Sequence, residues 1–323
     1  MASGLRVALA VNPSSGRGRG AQAGRAAIDG LTAAGLSVEV LIGKDAGDLA
    51  GQVQHVLSPS ADYAADPVSA LVVAGGDGMV QLGVCALARA GWPAPLGIVP
   101  AGSGNDVARA MGLAVDNWVT AAQDVARSLA DPARWRPIDT VRCTPVQPDG
   151  SPREEDARWF AGVLGAGFDA IVNERANRWT SGWCMPRGRA RYVLAMLREL
   201  PRLQARHYAL TVDGEEWRTP AMLVAVANAP SYGGGMRVCP DARLDDGLLD
   251  VLVVRPLSTP AFLRIFPRVY SGSHVGDPHV EIRRARTVTV SADGIVGYAD
   301  GERIAALPLR CELMPGALTV LTR

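Results

Sequence analysis

The sequence lacks the features that mark membrane-spanning, disulfide-stabilised and nucleic-acid-binding proteins. No apolar run approaches the ~20 residues of a membrane span. The five cysteines are scattered without a Cys-x-x-Cys pair, which favours buried thiols in a reducing compartment over a disulfide framework or a zinc site. Lysine is almost absent and the net charge is only +1, so no strong field points to nucleic acid. We therefore expect a cytoplasmic chain that meets any membrane from its inner surface.

The composition is that of an ordinary globular protein. With 323 residues, 48% of them hydrophobic, the chain can bury a large core, and its length favours two domains. In the first domain, residues 1–135, apolar runs alternate with helical patterns, which predicts a Rossmann-like α/β fold with a parallel sheet. The predicted strands are 5–11, 36–42, 69–74 and 96–99, and the predicted helices are 21–34, 48–57 and 79–90.

After about residue 135 the pattern changes to strands separated by turn residues. One helix is predicted near 188–199, and the Pro-rich, charged segment 145–157 has the composition of a surface loop. Because crossover helices are few, this half predicts an antiparallel β-sandwich or barrel over residues 136–307. The candidate strands are 137–143, 158–164, 207–212, 221–227, 248–254, 280–282 and 286–291.

Three glycine-rich segments each follow an apolar strand of the first domain. They are Asn12 to Gly18, Gly75-Gly76-Asp77-Gly78, and Gly102-Ser103-Gly104-Asn105-Asp106. Such loops present backbone N–H groups at a helix N-terminus, where phosphate binds well, and glycine lets the chain approach the phosphate closely. A single loop of this kind would favour a tight turn without a ligand. Three at one sheet edge favour phosphate binding.

Other motifs are weaker when each is taken alone. No Walker lysine motif is present, and residues 165–170 match a dinucleotide fingerprint that is better explained as a packed glycine turn. The carboxylates of residues 241–250 suit Mg²⁺ or Ca²⁺, but a solvated turn explains them equally well. Asp300-Gly301-Glu302 could supply a general base, although a hairpin turn is the simpler interpretation.

Together these motifs resemble the diacylglycerol kinase and sphingosine kinase-like lipid kinase family. The resemblance covers nearly the whole chain, and the order and spacing of the motifs carry it. It implies a nucleotide-binding domain followed by a β-sandwich, with residues 308–323 returning to the first domain. The motifs are Asn12-Pro13-Ser14-Ser15-Gly16, Gly75-Gly76-Asp77-Gly78, Pro100 to Arg109, Gly165-Ala166-Gly167-Phe168-Asp169, Leu244 to Asp250, and Asp300-Gly301-Glu302.

The resemblance also implies roles for particular residues. The enzyme would use ATP and Mg²⁺ to phosphorylate diacylglycerol at a membrane surface. Glu302 and Asp300 would take the proton from the lipid hydroxyl, and Asp77 would be a further catalytic residue, linked through water to a structural Mg²⁺. Asp246, with the carbonyls of Arg243 and Leu248, would bind this structural Mg²⁺. The expected nucleotide-binding residues are Asn12, Ser15, Gly16, Arg17, Gly75, Gly76, Asp77, Gly78, Gly102, Ser103, Asn105, Asp106 and Arg109.

Two positions depart from the common pattern of the family. Met79 and Leu82 stand where many members have Thr and Glu. The run from Gly75 to Val80 nevertheless resembles an actinobacterial branch of diacylglycerol kinases, so we do not infer inactivity. The alternatives are a kinase of another lipid alcohol, such as a sphingoid base or phosphatidylglycerol, an NAD kinase-like enzyme, and a nucleotide-binding regulator. The sequence leaves open whether the chain forms a homodimer.

The segment 177–192 combines tryptophan with arginine. Trp179, Trp183 and four arginines suit the headgroup region of an anionic bilayer, so this segment is a candidate docking surface beside the lipid entrance. The competing interpretation, which we favour slightly, is that the tryptophans pack beneath the helix predicted to follow.

Overall fold

The computed structural model describes residues 4–58, 67–167 and 204–323. The docking segment 177–192, the helix predicted near 188–199, and the Phe168-Asp169 pair lie outside the described residues. No helix in the described ranges is both long and apolar enough to cross a bilayer.

The chain divides into two units, and the first combines its beginning with its end. The first unit is Met1–Thr140 with Pro315–Arg323, and the second is Val141–Met314. A parallel sheet with helices forms the first unit, as the alternating pattern predicts. Its elements are β1 (Arg6–Val11), α1 (Ser15–Ala33), β2 (Ser37–Leu41), α2 (Ala46–Leu57), β3 (Ala70–Gly75), α3 (Asp77–Arg89), β4 (Leu96–Pro100), α4 (Asp106–Ala110) and α5 (Trp118–Ala130).

The sheet of the first unit has the order β2-β1-β3-β4, with all neighbours parallel. The end of the chain adds a further parallel neighbour to β4, where Val320 pairs with Leu96. Every residue of β3 and β4 is buried, as expected for parallel strands covered on both faces. The carboxyl ends of β1, β3 and β4 therefore lie side by side at one edge.

Strands dominate the second unit. Two of its strands, β5 and β16, also extend into the first unit. A short helix that the sequence pattern did not predict, α6, is Thr259–Ile265. The strands are β5 (Trp135–Pro145), β6 (Arg158–Phe160), β7 (Val163–Gly167), β8 (Arg206–Val212), β9 (Glu215–Ala221), β10 (Leu223–Ala227), β11 (Leu249–Val254), β12 (Val280–Ala285), β13 (Thr287–Ser291), β14 (Val296–Ala299), β15 (Glu302–Ala306) and β16 (Leu309–Leu321).

These strands form two antiparallel layers in the second unit. One contains β16-β13-β8-β9, and the other has the order β12-β11-β10-β7-β14-β15. The inward side chains of both layers join one buried cluster, in which Leu210 and Val288 of the first layer meet Leu164 and Val251 of the second. Alternate burial along β8 shows the period of two that such a layer requires. The predicted antiparallel β-sandwich is confirmed.

Several predicted element boundaries are wrong for identifiable reasons. The helix expected from residue 21 begins at Ser15, because the N–H of Gly18 already donates to the carbonyl of the N-cap residue Ser14 (3.4 Å). The helix expected from residue 79 begins at Asp77, after Gly76. The strand predicted over 158–164 is two strands, β6 and β7, interrupted at residues 161 and 162. The strands β9, β14, β15 and β16 were not predicted.

Candidate active site

The three glycine-rich segments of the first unit meet at the carboxyl edge of its sheet. The N–H of Asn12 donates to the carbonyl of Ala74 (3.3 Å), and the N–H of Ala101 donates to the carbonyl of Gly75 (2.7 Å). These bonds continue the pairing of β1 with β3 and of β3 with β4 past the strand ends. The loops thus lie next to each other, and the structure brings together the three glycine-rich segments that the sequence assigned to phosphate.

Close backbone contact explains the glycines of these loops. A Cβ atom on Gly102 would lie 2.5 Å from the Cα of Gly76, and one on Gly16 would lie 1.9 Å from the carbonyl oxygen of Ala101. Real Cβ atoms do not come so close to backbone. The loops are therefore packed against one another at distances that only glycine allows.

Asp77 joins the second glycine loop to the third. It lies in the first turn of α3, and its carboxylate accepts hydrogen bonds from the N–H of Asn105 (2.7 Å) and the N–H of Asp106 (2.8 Å). These are amides at the start of α4, so Asp77 caps that helix from a distant part of the chain. Because its oxygens are engaged by backbone, we infer that Asp77 positions the loop.

The pKa of the Asp77 carboxyl is raised from its ordinary 3.8 to about 6. Burial is the largest cause, and the negative charge of Asp106 adds to it, whereas the backbone N–H donors act in the opposite direction. A carboxyl whose pKa is higher in the folded state than in the unfolded chain holds its proton more tightly when folded. Its contribution to stability is therefore fully present below pH 4 and is lost as the pH rises through about 6.

We predict that Asp77→Asn removes this pH dependence. The free energy of unfolding of the wild type minus that of the variant should fall by about 3 kcal/mol between pH 4 and pH 7, which corresponds to a pKa difference of about 2. Urea unfolding at a series of pH values measures the difference. In the matched variant Asp106→Asn, the midpoint of the change should move to lower pH. A difference that does not vary with pH would contradict the assignment.

Asn105 shapes the third loop from within. It adopts a left-handed conformation with φ +54°, and its side-chain oxygen accepts the N–H of Gly102 (2.9 Å). Asp106 follows as the first residue of α4. Ser103 is exposed in the same loop, and Arg109 is exposed near the far end of α4. Arg109 therefore lies about one turn away from the loop itself.

Arg19 is a residue that sequence reasoning missed. Its Nη2 donates to the carbonyl of Gly102 (2.8 Å) and its Nε to the carbonyl of Gly16 (3.1 Å), so the guanidinium links the first and third loops. The sequence favoured Arg17, of whose side chain nothing is described. Both arginines follow a glycine in the same short run, and no local pattern distinguishes the one that reaches the neighbouring loop.

The departure at Met79 has a packing explanation. Met79 is buried in α3, and a Cβ atom on Gly75 would lie 2.3 Å from its Cγ. The thioether side chain thus covers the backbone of Gly75. It fills space beneath the loop where a threonine would offer a hydroxyl. Leu82 lies one turn further along the same helix and is partly exposed.

In the second unit, Asp300 and Gly301 form the two-residue turn between β14 and β15. Both have positive φ, +50° and +88°, which is the conformation of an Asp-Gly type I′ hairpin. The Asp300 carboxylate accepts the N–H groups of Ala161 (3.2 Å), Gly162 (3.2 Å) and Val163 (3.0 Å). This clamp explains why the chain breaks between β6 and β7.

The hydrogen bonds of Asp300 revise its predicted role. A carboxylate that serves three backbone amides has little capacity to take a proton from a substrate, so we infer that Asp300 positions the turn. Glu302, by contrast, is the exposed first residue of β15. Its carboxylate makes no hydrogen bond or ion pair with the residues that the structure describes. Glu302 alone therefore remains the candidate base.

The acidic turn, which we define as residues 241–250, also lies in the second unit and runs into the start of β11. Asp246 accepts the N–H of Leu248 on Oδ1 (3.2 Å) and pairs with Arg284 through Oδ2. The Nε of Arg284 lies 3.8 Å from Oδ1 of Asp250. Burial raises the pKa of Asp250; Arg284 lowers it, and the charges of Asp246 and Asp241 raise it further.

The turn does not fit the structural Mg²⁺ site that the sequence predicted. The predicted ligands are one carboxylate, Asp246, and the carbonyls of Arg243 and Leu248. Whether the site can bind a metal therefore depends on what the Asp246 carboxylate already contacts. Both of its oxygens are engaged, one by backbone and one by Arg284. Across the described ranges, no three His, Cys, Asp or Glu side chains converge on a common point either. The only carboxylate of the predicted ligand set is thus already paired with a guanidinium, whose positive charge opposes a metal ion there.

The described part of the glycine motif at residue 165 lies in a strand. Gly165, Ala166 and Gly167 lie inside β7, which pairs antiparallel with β10 on one side and with β14 on the other. A dinucleotide fingerprint would instead be a turn between a strand and a helix. Residues 165–167 are therefore strand rather than the packed glycine turn that we favoured, and residues 168–170 lie outside the described residues.

Comparison with known proteins matches both units. A family model described as the diacylglycerol kinase catalytic domain matches residues 6–142, and one described as the YegS C-terminal NAD kinase beta sandwich-like domain matches residues 162–322. A diacylglycerol kinase of Mycobacterium tuberculosis is 39% identical over 98% of this chain and 94% of its own length.

Other relatives are more distant. A diacylglycerol kinase of Bacillus subtilis is 27% identical over 74% of this chain and 72% of its own. A Pseudomonas aeruginosa protein named probable lipid kinase YegS-like is 30% identical over 93% of this chain and 91% of its own length. The solved structure of a diacylglycerol kinase from Bacillus anthracis superposes with a TM-score of 0.67 at 21% identity, covering 98% and 97% of the two chains, which supports the fold.

Proposed function

Because this chain belongs to the family of lipid kinases that share the diacylglycerol kinase catalytic domain, we propose that it phosphorylates diacylglycerol. The products would be phosphatidic acid and ADP. The observation that carries the proposal is the convergence of three glycine-rich loops at one sheet edge. Such loops supply the backbone amides that phosphoryl transfer needs for positioning and charge stabilisation.

The first unit supplies the nucleotide site in this proposal. Amides of the loops after β1, β3 and β4 would hold the phosphates of ATP, which arrives with its own Mg²⁺. Two side chains fix the positions of these loops. Asp77 accepts the N–H groups of Asn105 and Asp106, and Arg19 donates to the carbonyls of Gly16 and Gly102. Arg17 and Arg109 remain candidates for direct contact with phosphate charge.

Glu302 supplies the proton acceptor. The hydroxyl oxygen of the lipid forms the new bond to the γ-phosphorus, the bond from that phosphorus to the bridging oxygen of ADP breaks, and the hydroxyl proton passes to the Glu302 carboxylate. Asp300 sets the direction of Glu302 by locking the turn that precedes it. Since the acceptor is a lipid, we propose that the enzyme works at a membrane surface.

A different lipid alcohol is the second candidate substrate. The Pseudomonas relative is named only as a lipid kinase of the YegS-like kind, without a stated substrate. Phosphatidylglycerol and sphingoid bases therefore stay as alternatives to diacylglycerol.

An assay with labelled ATP tests the assignment. Purified protein and Mg²⁺-ATP should transfer label to diacylglycerol in mixed micelles faster than to phosphatidylglycerol, to a sphingoid base or to NAD. The variant Glu302→Gln serves as a control for contaminating kinases. Label in another lipid would move the chain to the second candidate, whereas label in NAD alone, or ATP binding without turnover, would overturn the proposal.

A further inference from the structure

The acidic turn, residues 241–250, contains four aspartates and one arginine. Asp246 and Asp250 lie near each other, because Arg284 pairs with Oδ2 of the first and its Nε lies 3.8 Å from Oδ1 of the second. Arg243, also in the turn, is mostly exposed and pairs with Asp245 at 3.5 Å. The side chain of Asp250 is only 7% exposed, and its Oδ2 is buried without a hydrogen-bond partner in the described part of the chain. A buried carboxylate of this kind requires a cation nearby.

The register between β11 and β12 places one positively charged side chain, Arg284, beside Asp250. Arg284 lies on β12 directly opposite Asp250 on β11, so its side chain projects beside that carboxylate. From there the guanidinium also reaches Oδ2 of Asp246. Because its donors form a planar fork, a single arginine can serve two carboxylates at once. The pairing of β11 with β12 thus delivers a fixed positive charge to the acidic turn.

We propose that Arg284 is the resident cation of the acidic turn and excludes a divalent metal from Asp246. The guanidinium already pairs with Oδ2 of Asp246, and its positive charge opposes the binding of a second cation at the same carboxylate. The turn therefore folds without a metal, and removal of Arg284 leaves the carboxylates of Asp246 and Asp250 without this partner and able to take Mg²⁺, Mn²⁺ or Ca²⁺ through their oxygens. This inference goes beyond the proposed function and does not depend on the substrate.

Thermal unfolding of the full chain, without nucleotide, tests the exclusion. The wild-type melting temperature should be the same in EDTA and in millimolar Mg²⁺ or Mn²⁺. Arg284→Gln should melt roughly 5 °C lower than wild type in EDTA, because two carboxylates lose their partner, and millimolar Mn²⁺ should restore most of the loss. Titration with Mn²⁺ followed by electron paramagnetic resonance should then detect one site in the variant that is absent from the wild type.

The matched control is Arg283→Gln on the same strand. Arg283 pairs with Glu281 and lies over the ring of Trp217, away from the acidic turn, so its loss should create no response to metal. A wild-type chain that loses stability in EDTA and binds Mn²⁺ at Asp246 would overturn the proposal. So would an Arg284→Gln variant whose melting is indifferent to Mn²⁺. If that variant does not fold in EDTA, recovery of folding by Mn²⁺ supports the proposal and failure to recover contradicts it.

Discussion

Glu302→Gln is expected to lower kcat for lipid phosphorylation by ~10²–10⁴-fold, the range that general base catalysis contributes. The substitution keeps the size and polarity of the side chain but removes its ability to accept the hydroxyl proton. Glu302 is exposed at the start of β15 and carries no structural contact with described residues, so the variant should melt like the wild type. Steady-state turnover and direct ATP titration measure the effect, and the Kd for ATP should not change.

Asp300→Asn distinguishes a positioning residue from a base. The amide can accept fewer of the three N–H groups now bound by the Asp300 carboxylate, so this variant should lose both melting temperature and kcat. Its remaining activity should keep the wild-type dependence on pH, since Glu302 is still present. A stable Asp300→Asn protein with an altered pH profile would return Asp300 to the role of base, and near-normal kcat in Glu302→Gln would remove Glu302 from that role.

The fold and the loops were predictable because their signals are local. Alternating strand and helix patterns indicate a parallel sheet, and the carboxyl ends of such strands share one edge. Glycine clusters after β1, β3 and β4 could therefore be assigned to one site before any coordinates. The same logic failed for β14 and β15, which are short and only partly hydrophobic, and for β9, whose outward residues are charged.

The roles of individual carboxylates were not predictable, because their partners are remote in sequence. Asp300 binds the N–H of Gly162, which is 138 residues away, and Asp77 binds that of Asn105, 28 residues away. The sequence around Asp246 does not predict its pairing with Arg284, because the two residues meet only through the register of β11 and β12. A carboxylate on a tight turn looks the same in sequence whether it is open to a substrate or occupied by protein groups.

The glycine loops themselves can be tested by adding one methyl group. Gly16 and Gly18 lie in the same run and both have positive φ, +56° and +86°, so alanine is strained by about 1–2 kcal/mol at either position. They differ in their surroundings. A Cβ atom at Gly18 meets nothing within 4 Å, whereas one at Gly16 would lie 1.9 Å from the carbonyl oxygen of Ala101.

Gly16→Ala should therefore lower the free energy of unfolding more than Gly18→Ala does. The difference should be about 1–3 kcal/mol, as for an overpacked site, because the new methyl group forces the first loop away from the third. The displaced loop would also move Gly102 and the amides that follow it. The affinity for ATP should therefore fall at least ~10-fold in Gly16→Ala, which corresponds to a loss of about 1.4 kcal/mol of binding free energy. In Gly18→Ala the affinity should change little. Urea unfolding and ATP titration of both variants measure these effects. Equal losses in the two variants would mean that backbone strain alone matters and that the contact between the loops does not form the nucleotide site.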